Sequence, residues 1–359
     1  MSARMVIGDV FDCLAATPDG SVDLILTSPP FLALRSYLPA DHPDKAKEIG
    51  SEPDPGAFID TLLALSAEWR RVLAPHGSIA VELGDSYSDG DENWPEAKSL
   101  ALVPELYRVA LAYGRNPLTG TESPAGRWKV RNVVRWCRPN PPVGALGDKF
   151  RPGTSDMVIA CTSGKRYFDL DAVRTPSDYE RKPAARATAP GQKPKGCLDT
   201  VNAAGAPPLD WWEVSTEGYS GSHYATWPRK LLTRPILAMC PQRVCTVCGE
   251  PSRRIVEIDR TVDADATPHG KSAGALKSGG PMTTKFTSAR VDLGWTSCGH
   301  DQWRPGVVLD PFAGSGTTLA VATGHGRDAL GFDLDERNAA LAMERVGMFL
   351  TVDHLERAS

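Results

Sequence analysis

The sequence predicts an α/β fold, a sheet with helices on both faces, interrupted by a loop-rich region and by a cysteine-bearing insertion. Three observations carry that prediction. The C-terminal stretch "PGVVLDPFAGSGTTLAVATGHGRDALGFDLDERNAALAMERVGMFL" reads as strand, glycine turn, helix, strand, helix, which is one βαβα unit. Near the N-terminus, "SVDLILTSPPF" holds Val22, Leu24, Ile25 and Leu26 in a short apolar run typical of a strand covered on both faces. Between these two stretches, strand-like and helix-like segments alternate, the pattern of a mostly parallel sheet.

Residues 5–10, "MVIGDV", open the chain as a strand ending in Gly8-Asp9. The TSPPF strand then stops hard, because Pro29 and Pro30 remove two backbone donors from the ladder. Asp54-Pro55 supplies an N-cap and a first-turn proline for a helix whose apolar stripe is Phe58, Leu62, Leu65, Trp69 and Val72. "APHG" is expected to end that helix. "SIAVELGDSY" is the next strand, and Pro104 to Tyr113 the next helix, stopped by Gly114. "VRNVVRW" and "DMVIACTS" read as two further strands. From Thr175 to Gly221 the pattern dissolves into Pro, Gly, Ala and Lys around a "DWWEV" island, so loops are expected there. "ATWPRKLLTRPILAMC" reads as a helix broken near Pro235. Residues 249–297 form a polar interruption with few apolar anchors, before order returns at "PGVVLDPF".

With 359 residues, 41% hydrophobic and 23% charged, the chain fits a globular protein of one large domain plus additions. No apolar run is long enough to span a bilayer, and "MSARMVIGDVFDC" lacks the core and cleavage site of a secretory signal. A cytoplasmic location without membrane contact is therefore expected. The net charge of −4 opposes a protein that simply coats nucleic acid. Its distribution says more. Arg127, Lys129, Arg131, Arg135, Arg138, Lys149 and Arg151 are opposed only by Asp148, and a second basic stretch runs from Lys165 to Lys195. Such runs are either a solvated face or a track for a phosphate backbone.

An open α/β sheet binds its ligands at the carboxyl ends of its strands. The Ser28-Pro29-Pro30-Phe31 corner would place there a hydroxyl, fixed carbonyls and an aromatic face, with no positive charge. In "DPFAGSGTT" the glycines allow close backbone approach, and the helix that follows offers free amides. There is no Walker lysine, and Leu319 stands where a third glycine would be, so the turn is a poor match for phosphates. Asp333 ends the next strand, about twenty residues on, at the place that receives ribose hydroxyls. Adenosine without phosphates would need the glycine turn, the ribose acid and little else.

At this point "DPFAGSGTT" and "TSPPF" together resemble the DNA amino-methyltransferases that use S-adenosylmethionine. The order, with TSPPF first and the cofactor turn last, resembles their circularly permuted beta class. "EIGSEPDPGAFIDTLLALSAEWRRVLAPHGSIAVELGDSY", "VVRWCRPNPPV", "KRYFDLDAVR" and "SHYATWPRKLL" are similar to the cytosine-N4 branch. The resemblance implies a permuted Rossmann-like sheet in which "VIGDV" and "LGFDLD" lie side by side. It implies a catalytic half at residues 1–171 and a target-recognition region at 172–222. The cofactor-binding half would be 223–359, interrupted by an insertion at 241–304.

For the cofactor, the resemblance implies a methionine part lined by Phe312, Gly314 and Gly316, within a turn that also brings Asp310, Ser315 and Thr317. It places the ribose on Asp333 and the adenine amino group at Asp9. His223, Ala225, Trp227 and Pro228 match the segment that packs over the cofactor from the other side. Read alone, Phe312 could be plain core, Asp9 a helix cap and His223 a structural histidine. For the reaction, it implies that the Ser28 hydroxyl and the Pro29 carbonyl accept the hydrogens of an exocyclic amine. Pro29 and Pro30 would hold them preorganised while Phe31 stacks on a flipped base. Ser at position 28 accompanies cytosine-N4 in this family, where Asp accompanies adenine-N6. The expected activity is thus cytosine-N4 methylation of double-stranded DNA, with Arg131, Arg135, Arg138, Lys149 and Arg151 as contacts and a restriction endonuclease as partner. Adenine-N6 methylation, RNA methylation and a catalytically silent DNA-binding regulator are the alternatives. One departure stands out: where family members often carry His-Glu, this chain has Ser155-Asp156.

Eight cysteines in a chain of this length do not suggest a disulfide scaffold. Cys245-Thr-Val-Cys248-Gly resembles one knuckle of a zinc ribbon, and Cys298-Gly-His300 would supply the second pair of ligands for a structural zinc. Cys240 is a substitute donor, and reduced surface thiols are the alternative.

Overall fold

The computed structural model describes residues 1–141, 147–175, 205–217, 227–262 and 286–355. Its first seven strands are β1 (Ala3–Ile7), β2 (Val22–Thr27), β3 (Leu73–Leu83), β4 (Lys129–Cys137), β5 (Thr154–Cys161), β6 (Trp211–Glu213) and β7 (Val244–Cys245). The rest are β8 (Arg254–Val262), β9 (Phe286–Trp295), β10 (Trp303–Arg304), β11 (Val307–Asp310), β12 (Asp328–Asp333) and β13 (Leu350–His354). The helices are α1 (Val10–Ala15), α2 (Pro55–Val72), α3 (Val103–Tyr113), α4 (Arg229–Met239), α5 (Thr317–Gly324) and α6 (Arg337–Val346).

Two units divide the chain. The first comprises Met1–Asp169, Leu209–Ser252 and Ser297–Ser359, and it holds a nine-stranded sheet of order β13-β1-β12-β11-β2-β3-β5-β4-β6. The strands from β13 to β3 are parallel to their neighbours, β5 is antiparallel to both β3 and β4, and β6 is parallel to β4. The expected permutation is borne out. β1 pairs with β12 from Ala3 opposite Ala329 to Ile7 opposite Asp333, so "VIGDV" and "LGFDLD" lie side by side. Helices α1, α2 and α3 pack on one another in series, and α4, α5 and α6 do the same.

The stripe expected on α2 is the centre of the core. Phe58, Leu62, Leu65, Trp69 and Val72 are all fully buried, each such side chain worth about 1.5–3 kcal/mol of transfer free energy. Asp54 caps the helix by accepting from the Ala57 amide at 2.8 Å. Ser66 of α2 and Tyr107 of α3 share a buried hydrogen bond of 2.8 Å, which satisfies both hydroxyls inside this apolar layer.

Several elements differ from the sequence reading. "APHG" begins β3 instead of forming a separate helix stop, because pairing of Leu73 with Val22 takes up the chain as soon as α2 ends. α4 runs through Pro235, whose ring is buried among Leu231, Leu232, Ile236 and Met239, so packing offsets the lost backbone bond. β13 adds an edge strand beyond β1, and "DWWEV" contributes β6 to the sheet. In the second unit, Leu170–Pro208 and Arg253–Thr296, the polar interruption contains an antiparallel pair, β8 with β9, from Arg254 opposite Trp295 to Val262 opposite Phe286. His223, Ala225 and most of region 172–222 lie outside the described residues. Among the described residues, no helix is long and apolar enough to cross a membrane.

Candidate active site

Five adjacent parallel strands, β1, β12, β11, β2 and β3, end on one cavity of about 590 Å³. Gly8 and Asp9 follow β1, Asp333 ends β12, Pro311 to Ser315 follow β11, Ser28 to Phe31 follow β2, and Gly84 and Asp85 follow β3. The carboxyl edge of a parallel sheet is where such folds bind ligands, and here two separate sequence motifs share it. Their link is direct. Thr27, the last residue of β2, donates its hydroxyl to Asp310 Oδ1 at 2.7 Å, and Thr318 donates to Asp310 Oδ2 at 2.5 Å. The Phe312 amide also reaches Asp310 Oδ1, at 3.1 Å. Burial pushes the Asp310 carboxyl up to about 6 despite these bonds. Asp310, expected at the cofactor, does not line the cavity; its carboxylate ties the two motifs together.

The glycine turn divides its work. Gly314, at φ 50, has open space where a side chain would start, and it lines the cavity. Gly316, at φ 75, does not line it. A Cβ there would meet the Ala342 Cβ at 3.0 Å, so this glycine lets α5 approach α6 closely. Ser315 lines the cavity, and its hydroxyl is buried with no hydrogen-bond partner among the described residues. A buried donor left unpaired is costly. Asp333 accepts from the Gly314 and Asp335 amides, both at 2.8 Å, and from Asn338 Nδ2 at 3.0 Å, yet burial still holds it up to about 6. Asp9 accepts the Phe11 and Asp12 amides on Oδ1 at 3.0 and 3.3 Å, so it caps α1 and also lines the cavity. Phe312, Thr317 and Trp227 line it too, while Pro228 caps α4.

Across the cavity, Ser28 Oγ donates to Glu82 Oε2 at 2.6 Å. Glu82 lies on β3, the strand beside β2, and is 3% exposed. Burial raises its pKa, and hydrogen bonds from Ser155 and Ser28 together with the charge of Arg138 offset that only in part. Arg138 in turn donates to Ser155 Oγ at 3.1 Å and to the Thr154 carbonyl at 2.8 Å, and it stacks on Trp136 at 4.8 Å. The Ser155 that stands where the family often has histidine therefore belongs to the Glu82 network. Asp156, in place of the expected glutamate, pairs with Arg108 and Arg135. The Phe31 ring packs against Gly84, just beyond the end of β3. A Cβ at Gly84 would sit 2.5 Å from its Cε2 atom, so only glycine leaves room for the ring.

Glu82 was missed in the sequence because an acid inside the apolar run "SIAVEL" matches no spacing rule. Its only signal is that a carboxyl in a doubly covered strand needs a partner. Of the basic residues singled out, Arg138 lines the cavity; Arg135 is held by Asp156, Lys149 lies over the Tyr87 ring at 3.3 Å, and Arg151 donates to the Pro141 carbonyl. Arg131 is exposed on β4. Cys245, Cys248, Cys298 and His300 come together elsewhere, and Cys240 is buried apart from them.

The N6/N4 family described as DNA methylase matches residues 22–244 and 304–344. Type II methyltransferase M.SfiI of Streptomyces fimbriatus is 32% identical over 201 residues, 52% of this chain and 44% of that protein, so less than half of that relative is matched. Type II methyltransferase M.SmaI of Serratia marcescens is 24% identical over 366 residues, 96% of this chain and 91% of that protein. Among solved structures, PvuII DNA methyltransferase (cytosine-N4-specific) superposes with a TM-score of 0.55 at 14% identity, covering 96% of this chain and 86% of that one. That likeness establishes a shared fold.

Proposed function

Because this chain belongs to the N6/N4 DNA methylase family, we propose that it methylates the exocyclic N4 amine of a cytosine swung out of double-stranded DNA. The observation that carries the choice of site is the Ser28–Glu82 hydrogen bond at the cavity where both motifs end. S-adenosylmethionine is the methyl donor, and it supplies an electrophilic sulfonium methyl. Asp333 would hold its ribose, Ser315 and Gly314 would face its methionine part, and Asp9 would receive the adenine amine. An acidic lining of Asp9, Glu82, Asp333 and Asp335 suits a cationic ligand better than a phosphate.

The amine of cytosine is a poor nucleophile because its lone pair is spread into the ring. Ser28 Oγ and the Pro29 carbonyl would accept its two hydrogens and draw the lone pair onto nitrogen, with little reorganisation since both prolines fix the backbone. Ser28 can accept there because its own proton points at Glu82 in a hydrogen bond, leaving the oxygen lone pairs for the amine. After transfer, the extra proton on nitrogen passes to Ser28 Oγ as the serine proton moves to Glu82, and water then restores the pair. Phe31, packed closely against Gly84, would stack on the displaced base. Ser at position 28 supports cytosine over adenine. Arg131, Arg135, Lys149 and Arg151 would meet the phosphates, and a restriction endonuclease would be the functional partner.

The test is transfer of labelled methyl from S-adenosylmethionine to duplex DNA by the purified protein. Label in DNA, lost in Ser28→Ala, is expected. Label in RNA alone, or cofactor binding with no transfer on any DNA, would overturn the proposal.

A further inference from the structure

A second site lies away from this cavity. Cys245, Cys248, Cys298 and His300 bring one ligand atom each within 4.8 Å of one another. We propose that these four residues hold one structural zinc ion that fastens together the two points where the chain leaves and re-enters the sheet-bearing unit. That unit includes residues up to Ser252 and again from Ser297.

The geometry suits the ion. With Zn–S of ~2.3 Å and Zn–N of ~2.0–2.1 Å, a tetrahedral site puts sulfur ~3.6 Å from nitrogen and ~3.8 Å from another sulfur. Cys245 Sγ and His300 Nδ1 are 3.6 Å apart. Three thiolates and an imidazole favour zinc over hard cations such as magnesium or calcium.

Each half of the site is shaped locally for a metal. In the first, the Val247 amide points at Cys245 Sγ at 3.4 Å, and the Gly249 amide donates to the Cys245 carbonyl at 3.0 Å. Gly249 sits at φ 72, which turns the chain back after the second cysteine. In the second, only one residue separates the ligands. That residue is Gly299 at φ 83, so the left-handed backbone of a glycine is what brings Cys298 and His300 to one point across so short a spacing. The unusual Cys-x-His pair is thus explained by its middle residue.

Backbone pairing already joins the halves. β7 and β10 form an antiparallel pair with Trp303 opposite Cys245, and the Thr246 amide donates to the Gln302 carbonyl at 3.0 Å. Next to Trp303, Arg304 reaches the fully buried Asp23 on β2 at 2.6 Å, and the Val307 amide that opens β11 donates to the same carboxylate at 2.7 Å. A four-ligand site leaves no open position for catalysis. Its effect would be structural: it fixes the segment that leads into β11 and so into the cofactor turn.

The experiment uses the full chain purified without chelator. Metal analysis should find one zinc per chain that survives dialysis and is released when thiols are modified with p-mercuribenzoate. Protein loaded with cobalt(II) instead should show thiolate charge-transfer absorption and the intense visible bands of a tetrahedral site. Cys248→Ser and Cys298→Ser should lose the zinc, whereas His300→Cys, which keeps four good ligands, and Cys137→Ser should retain it. If the serine variants do not fold, zinc content and the cobalt spectrum of the unmutated chain decide alone. Metal-free protein after growth in zinc, a disulfide among the three cysteines, or retention of zinc in both serine variants would overturn the proposal.

Discussion

Replacing Glu82 by glutamine probes the network that holds Ser28. The substitution keeps the shape of the side chain and an acceptor oxygen, but it removes the charge. The Ser28–Glu82 contact is short, at 2.6 Å, and lies on a residue almost wholly out of water. A hydrogen bond to a charged group contributes about 1.5–3 kcal/mol, roughly twice a neutral one, so the variant loses about 0.8–1.5 kcal/mol of it. If that bond is needed in the transition state, kcat falls about 4- to 12-fold, at about 1.4 kcal/mol per tenfold. Cofactor KM should stay unchanged, because the Asp333 and Gly314 contacts belong to the opposite wall. The pH profile adds a second reading. Glu82 must be ionised to take the Ser28 proton, and burial raises its pKa, so kcat of the unmutated enzyme should fall with decreasing pH earlier than an ordinary carboxylate would cause. Glu82→Gln should lack that limb. The assay is steady-state methylation of a duplex across pH, with thermal melting to confirm folding. A variant with unaltered kcat and an unaltered acid limb would refute the role given to Glu82.

Three further outcomes follow from the same structure. Gly84→Ala puts a methyl 2.5 Å from Phe31, so the ring must tilt; DNA KM should rise about 3- to 10-fold, the loss of part of a base–aromatic stack worth about 1–3 kcal/mol, while calorimetric cofactor affinity holds. Asp333 is held up to about 6, and its ionised form is the better acceptor for ribose hydroxyls, so cofactor affinity should weaken as pH drops through 6; Asp333→Asn should bind weakly with a flat profile in the same titration. Arg304→Ala leaves Asp23 buried with, among the described residues, His76 and the Val307 amide as partners, which should cost about 2–4 kcal/mol in denaturant unfolding. Burial alone would raise the Asp23 pKa, but bonds from His76 and Arg304 hold it below the ordinary value. Its stabilisation is therefore present above the unfolded pKa and lost as pH falls through the folded one; acid unfolding of Arg304→Ala should begin at higher pH.

Much of this architecture was legible because it rests on local chemistry. The α2 stripe repeats at helical spacing, and Asp54-Pro55 marks its start whatever surrounds it. The pairing of β1 with β12 was implied by the resemblance, whose permuted sheet sets "VIGDV" beside "LGFDLD". What escaped reading depends on neighbours distant in sequence. Asp310 looks like a ligand contact until Thr27, far away in the chain, is seen to occupy it. Gly316 looks like part of the cradle until α6 is placed against it. Pro235 breaks a lone helix but not one with a buried face. Glu82 carries no motif at all; its meaning comes from the serine on the adjacent strand.

Which atom is methylated tests the proposed chemistry most directly. Purified protein, unmethylated duplex DNA and S-adenosylmethionine should be incubated together, the DNA digested to nucleosides, and the products identified by mass spectrometry beside a Ser28→Ala control. New 4-methylcytosine, absent in the control, is the predicted result. New 6-methyladenine in its place, or 4-methylcytosine formed undiminished by Ser28→Ala, would contradict it.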